Sequence, residues 1–353
     1  MPQITAVDQL ESRLGATWPN IKQARTNANS KLDELNTVLP NLLARDTSIV
    51  LFGSLGRLEL TSGSDIDWTM LLDGSSDPRH FEIALEIAEI IDKVSGKAVG
   101  QERTFGSLVS SHDLINYIGG EGDTNSNMTR RNLLLLESRS IGDPGAYERV
   151  KKNLLQRYIS EDHGLWRSTT SLRLPHFLLN DLARYWRTMT VDYAYKQRAR
   201  GGKGIPLRNI KLRMSRKLIY IAGLLACFDC HVGFTKQERD WFYADRKVPA
   251  LVARMNKTLM STPLEIVAGT FLQFPELDEF ANAFFTAYDQ FLGLLLSEAS
   301  RTHLEKLNSD EAEQDPLYLD AKQIAHRFRD AVEAIFLTDK TELGRLTIKY
   351  GVF

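Results

Sequence analysis

Two aspartates one residue apart, Asp65 and Asp67 in Ser64-Asp65-Ile66-Asp67-Trp68, follow a Gly53-Ser54 pair in the chain. On an extended backbone, side chains at i and i+2 point to the same face, so this spacing sets two carboxylates side by side. Neighbouring carboxylates repel each other unless a cation lies between them. Hard oxygen donors of this kind suit Mg²⁺ or Mn²⁺, which take phosphate oxygens and water as further ligands. Two such ions roughly 3.5–4 Å apart can clamp the attacking and leaving oxygens of an in-line displacement at phosphorus. Gly53 allows backbone N–H groups to approach an anion closely, and the Ser54 hydroxyl adds a donor. Ile66, pointing the other way, belongs in a core.

Strands must deliver these groups. Residues 48–54, Ser-Ile-Val-Leu-Phe-Gly-Ser, form an apolar run that ends in a turn signal, and residues 66–72 read as a second strand. Pro78 opens a helix to about residue 94, with Phe81, Leu85, Ala88 and Ile91 expected on one face. Segments 97–101 and 108–110 are candidate further strands. Ahead of them, Val7, Leu10, Leu14, Leu32, Leu35, Val38 and Leu42 give residues 4–45 a helical period. From Asn125 onward the pattern is almost wholly helical, over 126–140, 144–160, 174–199, 206–229, 235–245, 263–273, 277–305 and 316–337. Gly201-Gly202-Lys203-Gly204 marks the clearest break. The expected fold is α+β: N-terminal helices (1–45), a small mixed-sheet domain carrying the chemistry (46–160), and an all-α domain (161–353).

A chain of 353 residues with 43% hydrophobic and 25% charged residues has the composition of a globular protein with a sizeable core. Its net charge of −1 points to no partner by itself. The N-terminus lacks a basic segment followed by an apolar run, and no apolar stretch is long enough to span a bilayer, so a cytoplasmic protein without membrane contact is expected. The two cysteines, in Cys227-Phe-Asp-Cys230-His231, match the spacing of covalent haem attachment. They also share one face of an apolar helix, and a buried helix face is the simpler reading.

The segment Gly53-Ser54-Leu-Gly56-Arg57-Leu-Glu59 … Ser64-Asp65-Ile66-Asp67 resembles the signature of the DNA polymerase β-like nucleotidyltransferase superfamily. The Arg57 and Glu59 that follow the turn are similar to the branch containing the PII-protein uridylyltransferase. A second stretch, Gly122-Asp123 … Arg131-Asn-Leu-Leu-Leu-Leu-Glu137-Ser138-Arg139, is also similar to that branch. The resemblance covers roughly residues 48–150. It implies an NTP donor, Mg²⁺, and transfer of a nucleoside monophosphate with release of pyrophosphate. Asp65 and Asp67 carry over as metal ligands and catalytic carboxylates. Gly53 and Ser54 carry over as phosphate contacts, with Arg57 and Ser64 as further candidate nucleotide contacts. Many superfamily members add a third carboxylate; Glu102 and Asp123 are the candidates here. Arg57 and Glu59 can also be read as a surface ion pair, and Glu137 and Arg139 as helix braces.

Eleven lysines and arginines lie between residues 184 and 217, opposed only by Asp192, with Tyr185, Trp186, Tyr193 and Tyr195 interleaved. Lys211 and Lys217 are the members expected on a triphosphate; an RNA backbone and a solvated basic face are the other readings. The acceptor of the nucleotide is left open among a protein, a tRNA or other RNA, and a small molecule, and so is the oligomeric state. Two further functions compete. One is a synthase of cyclic or linear oligonucleotide signals, a group in which Gly-Ser is usually followed by a Gly-Thr pair rather than Gly56-Arg57. The other is a regulatory module that binds nucleotide without turnover.

Overall fold

The computed structural model describes residues 4–39, 44–61, 63–95, 105–167, 173–199 and 201–351. The elements in order are α1 (Ala6–Leu14), α2 (Pro19–Val38), β1 (Thr47–Leu51), α3 (Gly53–Gly56), β2 (Trp68–Leu72), α4 (Pro78–Ser95), β3 (Ser107–Ser110), α5 (Ser111–Asn116), α6 (Asn125–Leu136), β4 (Arg139–Ile141), α7 (Gly145–Ser160) and α8 (His163–Arg167). They continue as α9 (His176–Ala199), α10 (Ile205–Lys211), α11 (Lys217–Val232), α12 (Lys236–Ala244), α13 (Val248–Leu259), α14 (Pro263–Phe271), α15 (Asp278–Leu296), α16 (Glu298–Lys306), α17 (Ser309–Ala312), α18 (Pro316–Phe336) and α19 (Glu342–Leu346). N-terminal helices, a small mixed sheet and a largely helical remainder make this the expected α+β architecture.

Contacts group the chain into two units that do not follow linear boundaries at 45 and 160. One contains the sheet and comprises Arg25–Leu178 with Lys236–Thr262; the other is helical and comprises Met1–Ala24, Leu179–Thr235 and Pro263–Phe353. Among the described residues no single helix is long and apolar enough to cross a membrane. In the helical unit, Cys227 and Cys230 are both buried on α11, and the π-helical turn Leu212–Arg216 joins α10 to α11.

The sheet has the order β3-β2-β1-β4. β1 pairs antiparallel with both β2 and β4, and β2 pairs parallel with β3. Every residue of β1 and β2 is buried, as near-continuous apolar runs require of central strands. One sheet face presents Ile49, Leu51, Trp68 and Met70 to Ala28 and Leu35 of α2 and to Ile83, Ile87 and Ile91 of α4.

Three expectations change. On α4 the buried stripe is His80, Ile83, Ala84, Ile87 and Ile91, whereas Phe81 and Leu85 are 63% and 52% exposed. Turning Phe81 and Leu85 inward would carry the adjacent Glu82 and Glu86 toward the core, and burying unpaired carboxylates costs more than exposing two apolar side chains gains. The helix expected over 126–140 ends at Leu136, because Arg139–Ile141 pairs with β1 instead; tertiary pairing overrides a leucine-rich local pattern. The helix expected over 277–305 is two, divided at Ser297, whose side chain accepts from Ser300 N and caps α16. The candidate strand at 97–101 lies outside the described residues.

Lys151 fastens α7 to α13 inside the sheet unit. It is 1% exposed. Its ammonium donates to Leu259 O at 3.0 Å, the last carbonyl of α13, and to Tyr147 Oη at 3.2 Å. A cation at a helix C-terminus satisfies a carbonyl that no N–H of the helix reaches. Lys151→Met keeps most of the packing but leaves that carbonyl buried without this partner. We expect it to destabilise the protein by about 1–3 kcal/mol, read as a lower midpoint in urea with unchanged helical circular dichroism before the transition.

Candidate active site

β1 runs out at Leu51, and Phe52 continues extended into Gly53, whose φ is +67°. Phe52 N donates to Asp67 O at 2.8 Å. Antiparallel pairing thus extends one residue beyond the start of β2, which begins at Trp68 rather than Ile66. The alternation expected of a strand holds across this edge: Ile66 is 4% exposed in the core, Asp65 is exposed and Asp67 half-buried. Asp67, paired with Phe52 at the end of the sheet, lies on the face opposite Ile66, and Asp65 stands exposed two residues before it.

The turn meets the second aspartate directly. A Cβ placed on Gly53 would stand 2.8 Å from Asp67 Oδ2, and φ is left-handed there, so side chains are excluded twice over. Gly56 is confined on its other side: a Cβ there would stand 2.1 Å from the carbonyl oxygen of Glu137. The turn is pressed between the Asp67 carboxylate and the residue that caps α6.

Arg57 is not part of a surface ion pair. It is 8% exposed, and its partners Glu59 and Glu137 are 2% and 5% exposed. Nε donates to Glu59 Oε2 at 2.8 Å, and Nη1 donates to Glu137 Oε2. The guanidinium is directed at these two carboxylates, which ties the turn to α6. Leu58, between Arg57 and Glu59, has φ +60°, a conformation costing about 1–2 kcal/mol for a residue with a Cβ. Glu59 N donates to Ser54 O at 2.7 Å and closes the loop.

Asp123, the other candidate third carboxylate besides Glu102, is engaged with Arg131. Its two oxygens accept from Arg131 Nη1 at 2.5 Å and Nη2 at 2.8 Å, and Oδ2 accepts from Gly119 N at 3.1 Å. The side chains of Arg131 and Asp123 are 0% and 1% exposed. Arg131 Nε donates to Tyr158 Oη at 2.9 Å. A carboxylate enclosed and held by a bidentate arginine braces the start of α6. Glu102, the other candidate third carboxylate, lies outside the described residues. Ser64 is half-buried, with its hydroxyl 3.1 Å from Thr61 Oγ1. Ser54 is half-buried on α3.

Lys211 and Lys217 belong to the helical unit, at the end of α10 and the start of α11. Burial lowers the pKa of Lys217, and the neighbouring Arg213 lowers it further, against an opposing effect of Glu333. In the sheet unit, Thr69 continues the series Asp65, Asp67 along one face. It is 3% exposed, its hydroxyl has no hydrogen-bond partner, and it lines a small cavity with Val50, Phe52 and Arg130. Burial lowers the pKa of Arg130, and Asp113 partly offsets this. Period-two counting from Asp67 points to Thr69; nothing local points to Arg130, which the fold brings there on α6.

Residues 32–102 match the family described as nucleotidyltransferase domain. That segment of the chain is therefore a nucleotidyltransferase domain of the DNA polymerase β-like superfamily, and it contains α3, β2 and both aspartates. The match reaches the superfamily and not its PII-uridylyltransferase branch. No curated protein matches the chain.

The two kinds of carboxylate predict different mutational outcomes. Asp123→Asn leaves Arg131 buried without a charged partner and should destabilise by about 3–5 kcal/mol. Asp65→Asn, at an exposed position, should change stability by no more than about 0.5 kcal/mol. Urea midpoints of the two variants check this; a wild-type midpoint for Asp123→Asn would return Asp123 to the list of reactive groups.

Proposed function

We propose that the protein transfers a nucleoside monophosphate from an NTP to an acceptor hydroxyl, with Mg²⁺ or Mn²⁺ held by Asp65 and Asp67. The observation that carries this reading is the closeness of the Gly53 turn to the Asp67 carboxylate, whose Oδ2 would stand 2.8 Å from a Cβ on Gly53. The residues suit a divalent cation. Asp65 is exposed, Asp67 is half-buried, and the missing Cβ at Gly53 lets the Asp67 carboxylate lie against the turn. A bound cation would supply charge neutralisation between the two carboxylates and the donor's phosphates.

The residues themselves have separate tasks. Gly53 and Ser54 hold the phosphates through backbone N–H and hydroxyl donors. Ile66, locked in the core, fixes the direction of Asp65 and Asp67. The acceptor oxygen forms a bond to the α-phosphorus, the bond from that phosphorus to the bridging α–β oxygen breaks, and pyrophosphate leaves. The acceptor's proton passes to a carboxylate or to water. Glu102 is the candidate carboxylate: in sequence it stands three residues before Phe105, whose ring lies 5.0 Å from that of Phe52, and Gly106 N donates to Trp68 O at 2.7 Å beside the acid pair. ATP is one candidate donor. The acceptor is a protein, an RNA end or a small molecule, and the setting is cytoplasmic.

Incubation with each α-labelled NTP and Mg²⁺, followed by cell extract, should label an acceptor. Asp65→Asn and Asp67→Asn should each reduce labelling by roughly 10²-fold or more, the scale of removing a main electrostatic stabiliser from an active site. Labelling that survives in both variants would sink the proposal, as would its absence in the wild type with every NTP.

A further inference from the structure

Within the sheet unit, residues distant in sequence assemble a ladder of alternating rings and cations. The Arg173 guanidinium lies 5.4 Å from the Tyr243 ring centroid. The Tyr243 ring lies 5.8 Å from that of Trp166. The Arg246 guanidinium lies 5.7 Å from the Trp166 ring. Beside this series, Lys247 Nζ stands 4.1 Å from the Trp241 ring, which meets Phe242 edge-on at 4.8 Å. These groups come from α8, from the segment ahead of α9, and from α12 with the turn that follows it.

Three features separate this ladder from ordinary surface packing. Trp241 is 52% exposed, although a tryptophan is among the side chains that gain most from burial. Arg246 is held with φ +48°, a left-handed backbone that disfavours a residue with a Cβ, and its Nη2 is fixed on Ser160 O at 2.5 Å. Charge is also biased: residues 236–257 carry six lysines and arginines against three carboxylates, in a chain of net charge −1. One of the three, Asp245, lies 3.3 Å from Lys247 Nζ, with its own side chain 74% exposed. A cation–π pair at an exposed site contributes only about 0.5–1 kcal/mol, too little to account for both an exposed indole and a strained backbone.

We propose that this surface binds a single-stranded polynucleotide. Every base has a π-face, and an exposed indole flanked by cations offers stacking for a base together with neutralisation for the adjoining phosphates. Trp241 is the stacking platform. Lys247 beside its ring and Arg246 nearby supply positive charge for the strand's backbone. A duplex buries its bases in its own stack, so the ladder selects an unpaired segment. The identification of that strand as the nucleotide acceptor rests on the transferase reading; the binding itself does not.

The test uses the full chain and fluorescence anisotropy of an end-labelled 12-nucleotide RNA, with a DNA strand of the same sequence as a second arm. Binding is expected at low salt and should weaken as salt rises. Trp241→Ala should weaken it by roughly fivefold or more, and Trp241→Phe, which keeps a ring, should recover most of the loss. Lys247→Gln and Arg246→Ala should weaken binding and flatten the salt dependence. Asp65→Asn/Asp67→Asn should bind as the wild type does, so transfer that survives in this variant, with binding intact, counts against the transferase reading alone. A difference between the arms assigns RNA or DNA. The proposal is overturned if neither strand binds, if Trp241→Ala and Lys247→Gln both bind as the wild type does, or if inorganic polyphosphate displaces the strand as well as unlabelled RNA does. Should Trp241→Ala fold poorly by circular dichroism, Trp241→Phe and Lys247→Gln decide the matter.

Discussion

The turn after β1 is confined from two sides, and the candidate active site depends on that confinement. Gly53 has the Asp67 carboxylate where its Cβ would be, and Gly56 has the Glu137 carbonyl there. Only glycine fits at either position. The first contact brings the phosphate-facing backbone to the acid pair; the second anchors the same short segment to the end of α6. Just after them, between Arg57 and Glu59, Leu58 takes a left-handed backbone. That cost is offset by Arg57, which lies buried with a carboxylate of the loop, Glu59, and one of α6, Glu137.

α6 is correspondingly held at both ends by buried charge. Asp123 and Arg131, with Tyr158, fix its start; Glu137 and Arg57 fix its finish. Buried ion pairs add little net stability over apolar residues of the same size, but breaking one is costly. Their effect here is directional: the helix can end in one place only, and β4 then leaves Glu137 in register with β1. The second sequence motif is thus a scaffold for the first. Its buried ion pairs set the geometry around the turn.

The site was legible where the physics is local. Gly53-Ser54 and Asp65-x-Asp67, with ten residues between them, meet at neighbouring strand ends, and period-two alternation was enough to expect Ile66 in the core, where it is 4% exposed. The α+β division was legible for the same reason, since strand-like and helical periods occupy separate stretches of the chain. Long-range pairing was not legible. Nothing near Asp123 says that both its oxygens go to Arg131, and nothing near Arg57 says that Glu137 will enclose it. The α4 stripe was misjudged because two apolar stripes coexist, and the choice between them lies with the flanking Glu82 and Glu86. β4 was hidden in a leucine-rich helical pattern. The ring-and-cation ladder joins residues near 166 and 173 to residues near 243, a juxtaposition that periodicity cannot express.

The central claim is that Asp65 and Asp67, beside the Gly53 turn, hold a divalent cation together with a triphosphate. Titration of Mn²⁺ into the protein with a non-hydrolysable NTP, followed by the electron paramagnetic resonance signal of aqueous Mn²⁺, tests it without requiring an acceptor. The account predicts that the wild type depletes that signal with a stoichiometry fixed by the site, and that Asp65→Asn/Asp67→Asn leaves it close to the level of nucleotide alone. Equal depletion by the wild type and the double variant would contradict it.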